Sequence, residues 1–250
     1  MKKVQIKDLI LNDGYTKICV PLTGTNTLQI LSDIENLNDV DFDLIELRID
    51  YYEFVEDFSS VKQLLEQIKE SYFKPILFTF RTKKEGGMHE MSEENYFKLN
   101  QFAVESGMID LIDIELFSSE DKTKELVTLA HEKNVKVIMS NHDFSKTPTK
   151  EEIVNRLVKM QHYDADITKI AVMPKCEEDV LTLMAATLEM KKEKGDRPFV
   201  TMSMGSLGVI TRLTGELFGS CITFAALNKA SAPGQINVKN AREILNMFRI

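Results

Sequence analysis

Short apolar runs alternate with longer amphipathic stretches along the chain. The runs read "KICVPL", "DLIELRID", "PILFTFR", "LIDIEL", "VKVIMSNHD", "ITKIAVMP", "FVTMSMG" and "CITFAAL". Between them stand segments such as "SSVKQLLEQIKESY", "SEENYFKLNQFAVESG", "EDKTKELVTLAHEKN", "TKEEIVNRLVKMQ" and "EEDVLTLMAATLEMKKEKG". Several of these open on Ser, Thr or acidic residues and close near Gly or Asn, as capped helices do. Eight strand-like runs separated by helical patterns predict a βα repeat with a parallel sheet. That count suits a closed (β/α)8 TIM barrel better than an open doubly wound sheet. The dinucleotide fingerprint of the open sheet is missing after the first run, where "LTGTN" stands instead. The segment before residue 17 is an extra element, expected to close the bottom of the barrel as a hairpin. No low-complexity linker breaks the pattern, so one barrel domain over 1–250 is expected.

Strand period then sorts the polar residues. Successive side chains alternate faces, so Glu46, Arg48 and Asp50 lie opposite Ile45, Leu47 and Ile49. Leu77, Thr79 and Arg81 share one face, Ile138, Ser140 and His142 another, and Lys169 goes with Ile167, Ala171 and Met173. Asp113 and Glu115 alternate with Ile112, Ile114 and Leu116 and are also candidates to face inward. Lys169 is the anomaly, because a charged head is costly to bury in a core strand. An edge strand with a snorkelling lysine is the bland explanation. Yet Glu46, Arg48, Arg81, His142 and Lys169 fall mostly in the C-terminal halves of their strands, where barrel active sites are built. Five ionisable groups converging on one mouth make a site.

Composition narrows the classes. The hydrophobic content of 43% and charged content of 28% are those of a globular protein. No apolar run approaches the roughly 18 residues that span a bilayer, and Lys7 and Asp8 break the N-terminal stretch that a signal peptide would need. A net charge of -8 argues against nucleic acid as a partner. Cys19, Cys176 and Cys221 have no metal-type spacing, and reduced thiols in a cytoplasmic setting are expected.

Each candidate also has an ordinary reading. Glu46 and Arg48 would make a structural ion pair, Arg81 a surface cation, and His142 a cap for the following helix with Asp143 as its partner. His89, His131 and His162 sit in a polar loop and on helices. Asp113 and Glu115 suggest a metal site only weakly, since no H-x-H or H-E-x-x-H accompanies them. Met202 and Met204 read as core packing or as walls of the barrel mouth. The "GSLG" turn at 205–208 is a weak phosphate cradle.

Taken together, "ELR" at 46–48, "FRTKKEGG" at 80–87, "SNHDF" at 140–144, "TKIAVMP" at 168–174, "MSMG" at 202–205, "TR" at 211–212 and "ASAPGQ" at 230–235 resemble the type I 3-dehydroquinate dehydratases of the shikimate pathway. The resemblance runs in order through nearly the whole chain, and its motifs are specific as a set. One departure is Leu47, where many members carry Trp between the acid and the arginine. It faces away from Glu46 and Arg48, so altered packing rather than altered chemistry is expected.

The resemblance implies dehydration of a small-molecule substrate, 3-dehydroquinate, through a lysine Schiff base, with no metal or cofactor. It assigns the imine to Lys169, general acid–base work to His142, and orientation of that histidine to Glu85. It places Arg212 on the substrate carboxylate, Glu46, Arg48 and Arg81 on its hydroxyls, and Ser231 and Gln235 on a loop over 228–237 that closes on it. Met202, Met204 and Phe224 complete the substrate-binding set. A lysine attacks only as the free amine, and nearby cations such as Arg48 and Arg212 are expected to favour that form. A homodimer is also implied. A class I aldolase or transaldolase is the alternative with the same lysine, but "LNKASAPGQ" offers it no Gly-rich phosphate turn. A non-catalytic metabolite-binding barrel is the other alternative, and the co-occurrence of Lys169 and His142 weighs against it.

Overall fold

The computed structural model describes residues 1–228 and 230–248. The chain opens with an antiparallel hairpin of β1 (Val4–Ile6) and β2 (Leu9–Leu11). Then come β3 (Lys17–Leu22), β4 (Leu44–Arg48), β5 (Ile76–Thr79), β6 (Leu111–Glu115), β7 (Lys136–Asp143), β8 (Ile167–Val172), β9 (Phe199–Ser203) and β10 (Ile222–Phe224). Among the described residues these eight form one parallel sheet in the order β10-β3-β4-β5-β6-β7-β8-β9. The ring is nearly closed: a single parallel bridge, Phe199 to Ser220, joins its two ends.

Helices cover the outside. They are α1 (Thr27–Glu35), α2 (Phe58–Ser71), α3 (Glu93–Glu105), α4 (Glu120–Glu132), α5 (Lys150–His162), α6 (Glu177–Glu189), α7 (Val209–Leu213), α8 (Gly215–Phe218) and α9 (Val238–Met247). Side chains of Asn26, Asp57, Ser92, Thr149 and Asn237 accept backbone N–H groups at the starts of α1, α2, α3, α5 and α9, satisfying donors the helices leave open. Thr149, not His142, caps α5. The long helical pattern after residue 176 ends as a π turn over Met190–Lys194, closed by Gly195 N–H on the Met190 carbonyl. Of these helices, none is long and apolar enough to cross a membrane.

The strand faces divide as their alternation requires. Ile45, Leu47, Ile76, Phe78, Ile112, Ile114, Ile170 and Val172 pack outward on helix residues such as Leu64, Leu65, Leu126, Leu157 and Leu183. Each buried aliphatic side chain contributes about 1.5–3 kcal/mol relative to exposure. Leu47 belongs to this outer layer, away from Glu46 and Arg48. Inside, Cys19, Leu44, Leu77, Leu111, Ile138, Ile167, Val200 and Ile222 form an apolar floor, and Val4, Ile6 and Leu11 of the hairpin pack on it. The floor is apolar and buried, and the polar residues nearer the strand C-termini stand in a separate layer above it.

Candidate active site

Above the floor, Glu46 and Arg48 from β4, Lys169 and Ala171 from β8, Met202 from β9 and Phe224 from β10 meet Arg81, Glu85, His142, Met204, Arg212, Ser231 and Gln235 around a cavity of about 40 Å³. The structure therefore gathers every residue that the resemblance assigned to catalysis or substrate binding into one pocket. Gly86, Phe144 and Ala232, which were not singled out, complete its wall.

Lys169 points inward and is 4% exposed. Its Nζ lies 3.6 Å from Glu46 Oε1, 3.7 Å from Asp113 Oδ2 and 4.1 Å from the centre of the Phe224 ring. The expected cationic flank is thus corrected: the nearest charged groups are carboxylates, because β4 and β6 turn Glu46 and Asp113 toward the same axis. Thr79 donates to Glu46 Oε1 at 3.1 Å and fixes that carboxylate.

Below and beside the lysine lies a buried network around Arg81. Its guanidinium donates to Asp113 at 2.8 Å, to Glu115 at 2.9 Å and to Ser140 Oγ at 3.0 Å, while Ser140 donates to Asp113 at 2.7 Å. Burial opposes the charge on Asp113, but Arg81 and Lys169 outweigh it and hold this carboxyl below its ordinary range. Asp113 and Glu115 are therefore counter-charges for cations, which gives the inward carboxylates of β6 a role the metal reading did not supply. Arg81 lines the pocket as expected, although these partners already occupy much of its donor fork. Arg48 does not pair with Glu46: it makes a bidentate pair with Asp50, Nε at 2.8 Å and NH2 at 2.9 Å.

His142 takes its partner from another strand's loop. Its Nδ1 lies 2.9 Å from Glu85 Oε2, and its backbone N–H donates to the same oxygen at 2.9 Å. Asn141 donates to Glu85 Oε1 at 3.0 Å and is itself held by Arg156 of α5. With both Glu85 oxygens accepting, Nδ1 carries the imidazole proton and Nε2 is left as the free acceptor; this tautomer is assigned from the network. Asp143 is not the partner, since its Oδ1 accepts from Ser145. Burial pushes His142 well below 6.5, helped by Arg81, Lys169 and Arg48. Burial and the neighbouring Glu115 push Glu85 up to about 8 against the opposing pull of Arg81 and Asn141. Its negative charge is held there at a cost.

The "KKEGG" motif has a steric reason. Glu85 ends a tight turn over Lys83–Glu85, and Gly86 follows in the left-handed region at φ 88°. A Cβ there would lie 2.4 Å from the Phe144 ring, and one on Gly87 would strike the Arg81 carbonyl. The two glycines let the loop turn sharply enough to bring Glu85 back over β7.

Arg212 is the exception to the pairing rule. It is 3% exposed, yet among the described residues no carboxylate meets it. NH1 faces Met202 Sδ at 3.4 Å, NH2 donates to the Pro233 carbonyl at 3.0 Å, and Nε has no hydrogen-bond partner. Burial pulls its guanidinium down to about 10. The turn at 205–208 leads into the helix that carries Arg212: Thr211 bonds back to Gly208, and α7 starts at the next residue. Ser231 and Gln235 bond to each other, Ser231 N–H to Gln235 Oε1 at 2.9 Å and Gln235 Nε2 to Ser231 Oγ at 2.9 Å. Gly234, at φ 79°, passes so near Gly205 that a Cβ would lie 2.3 Å from the Gly205 carbonyl oxygen. The described part of the 228–237 loop thus roofs the pocket beside Arg212; Lys229 lies outside the described residues.

Comparison with known proteins agrees with this geometry. The family model "Type I 3-dehydroquinase" matches residues 18–250. A 3-dehydroquinate dehydratase of Clostridium novyi is 52% identical over 248 residues, 99% of this chain and 98% of that protein. One from Escherichia coli K12 is 50% identical over 249 residues, 99% of each chain. The crystal structure of a type I 3-dehydroquinate dehydratase from Clostridium difficile superposes with a TM-score of 0.96 at 48% identity, covering 98% of this chain and 97% of that one. With similarity of this extent in sequence and in fold, the chain belongs to the type I 3-dehydroquinase family.

Proposed function

We propose that this protein dehydrates 3-dehydroquinate to 3-dehydroshikimate, in the shikimate pathway, through a Schiff base on Lys169. One observation carries the reading: an amine, an imidazole and a guanidinium that has no anionic partner among the described residues line one pocket. The ketone supplies the carbon for the amine, and the substrate carboxylate supplies the charge that Arg212 lacks.

The steps follow from the contacts. The Lys169 amine adds to the ketone carbon, and loss of water leaves a protonated imine that draws electrons from the adjacent carbon. Glu46 and Asp113 stand beside Nζ as counter-charges for that cation. The free Nε2 of His142 takes the proton from the adjacent carbon, giving an enamine. The enamine electrons return and expel the β-hydroxyl, which leaves as water with the proton His142 received. Water then hydrolyses the product imine and restores the amine. Glu85 keeps the ring in the required tautomer and steadies it while it is charged. Arg48 and Arg81 hold substrate hydroxyls, and the 228–237 loop excludes bulk water from the imine. The reading includes a cytoplasmic homodimer, supported by three unpaired cysteines for the compartment and by family resemblance for the dimer.

Appearance of the conjugated enone, followed in the ultraviolet after adding 3-dehydroquinate, tests the reaction. Its pH dependence tests the base. His142 works as a base only when neutral, and its proton leaves at a pH below 6.5. Thus kcat/KM is expected to hold through pH 6.5 and fall only at lower pH. No enone rejects the function, and an acid limb centred above 6.5 rejects His142 as that base.

A further inference from the structure

Asp50 is a buried acid next to the pocket that the steps above do not use. It sits in the single 3-10 turn over Ile49–Tyr51 that ends β4, and its side chain is 0% exposed. Four donors converge on its two oxygens. Oδ1 accepts from Arg48 Nε at 2.8 Å and from the Arg81 backbone N–H at 3.3 Å; Oδ2 accepts from Arg48 NH2 at 2.9 Å and from the Met88 backbone N–H at 3.1 Å. These donors belong to three different pieces of the site: the end of β4, the chain leaving β5, and the far side of the loop that carries Glu85.

Each contact has a consequence. The fork of Arg48 is oriented by a planar bidentate pair, so its remaining donors face the pocket in one direction. Arg81 and Met88 bracket the 82–87 turn, which is otherwise tied down by Thr82, donating through N–H and Oγ1 to Glu115 at 2.9 Å and 2.6 Å. Fixing both ends of that loop fixes where Glu85 stands, and Glu85 in turn sets the His142 ring.

We propose that Asp50 is a positioning residue that holds Arg48 for substrate binding and the Glu85 loop for proton transfer, coupling the two halves of the site. This rests on the roles given above to Arg48 and Glu85. Asp50 itself touches no substrate. In Asp50→Asn, one acceptor oxygen and an NH2 group face the four N–H donors, so the Arg48 pair and one loop contact are lost together. KM for 3-dehydroquinate is expected to rise about 10–100-fold through Arg48, and kcat to fall about 10-fold through misplacement of His142. In an Arg48→Gln background, the Asp50→Asn effect on KM should shrink to about threefold or less, while the fall in kcat persists, because the backbone donors of Arg81 and Met88 are still there.

The experiment measures kcat and KM for the wild type, Asp50→Asn, Arg48→Gln and the double variant. Asp50→Glu, which keeps the charge but shifts it by a methylene, is run beside them, and folding is established by circular dichroism and thermal unfolding. Turnover by the wild type comes first, because its absence would reject the function itself rather than this role. Given turnover, a folded Asp50 variant with native kcat and KM overturns the proposal. So does failure of both Asp50 variants to fold, or a loss of activity that only tracks the folded fraction, since either makes Asp50 structural alone. A split effect, with the KM part abolished by Arg48→Gln, supports it.

Discussion

Replacing His142 with alanine is expected to slow turnover by about 10²–10⁴-fold while covalent enzyme–substrate intermediate accumulates. The imidazole lines the same pocket as Lys169 and is held by a dedicated carboxylate, Glu85, and in the proposed steps it takes the proton from carbon. Imine formation is less dependent on it, because Lys169 supplies the nucleophile and water can carry protons during carbinolamine collapse. The variant should therefore capture substrate and stall. Mass spectrometry of the variant mixed with 3-dehydroquinate reads the stalled adduct directly, beside the steady-state rate. Near-native turnover would remove His142 from the mechanism.

Arg212→Met is expected to move activity and stability in opposite directions. Among the described residues no carboxylate pairs with the buried Arg212, and burial already pulls it down to about 10. Removing it relieves an uncompensated charge, while Met fills the stem's volume against Met202 and Pro233. A gain of about 1–3 kcal/mol in unfolding free energy is expected without ligand. The substrate carboxylate then loses its charge partner, and kcat/KM should fall by roughly 10²–10³-fold, about 2–5 kcal/mol of binding in the transition state. Denaturant unfolding and kinetics on the same preparation check both signs. A variant that is destabilised, or that keeps its kcat/KM, would show that Arg212 is not held open for an anion.

The strand faces were readable in the sequence because the period is strict and both faces of a barrel strand are constrained. Lys169, His142, Glu46 and Arg48 fall inward for the same reason that Ile45, Leu47 and Ile170 fall outward. Alternation ends where the strand ends, and there the reading stopped. Asp50 lies in the turn after β4, so its grip on Arg48 could not be taken from period. The partner of His142 is 57 positions away on a loop, and only the family resemblance pointed to it; locally, Asp143 was the better candidate. The pairing of Arg81, just after β5, with Asp113 and Glu115 of β6 and Ser140 of β7 crosses between strands, a register that single strands do not encode. Three helices escaped notice because they are short: α1 has nine residues, α7 five and α8 four. The second of these is what aims Arg212. The extra N-terminal segment was placed correctly because "VQI" and "LIL" flank a polar turn and have an apolar floor to cover.

The central claim is that Lys169 forms the covalent bond, and borohydride reduction tests it most directly. Reduction of an imine fixes the ligand to whichever amine made it. When enzyme, 3-dehydroquinate and borohydride are combined, activity should be lost as the protein gains the mass of one reduced ligand. Peptide mapping should place that mass on Lys169, and Lys169→Ala should take up none. A ligand mapped to another lysine, or continued turnover with no adduct trapped, would contradict the Schiff-base account.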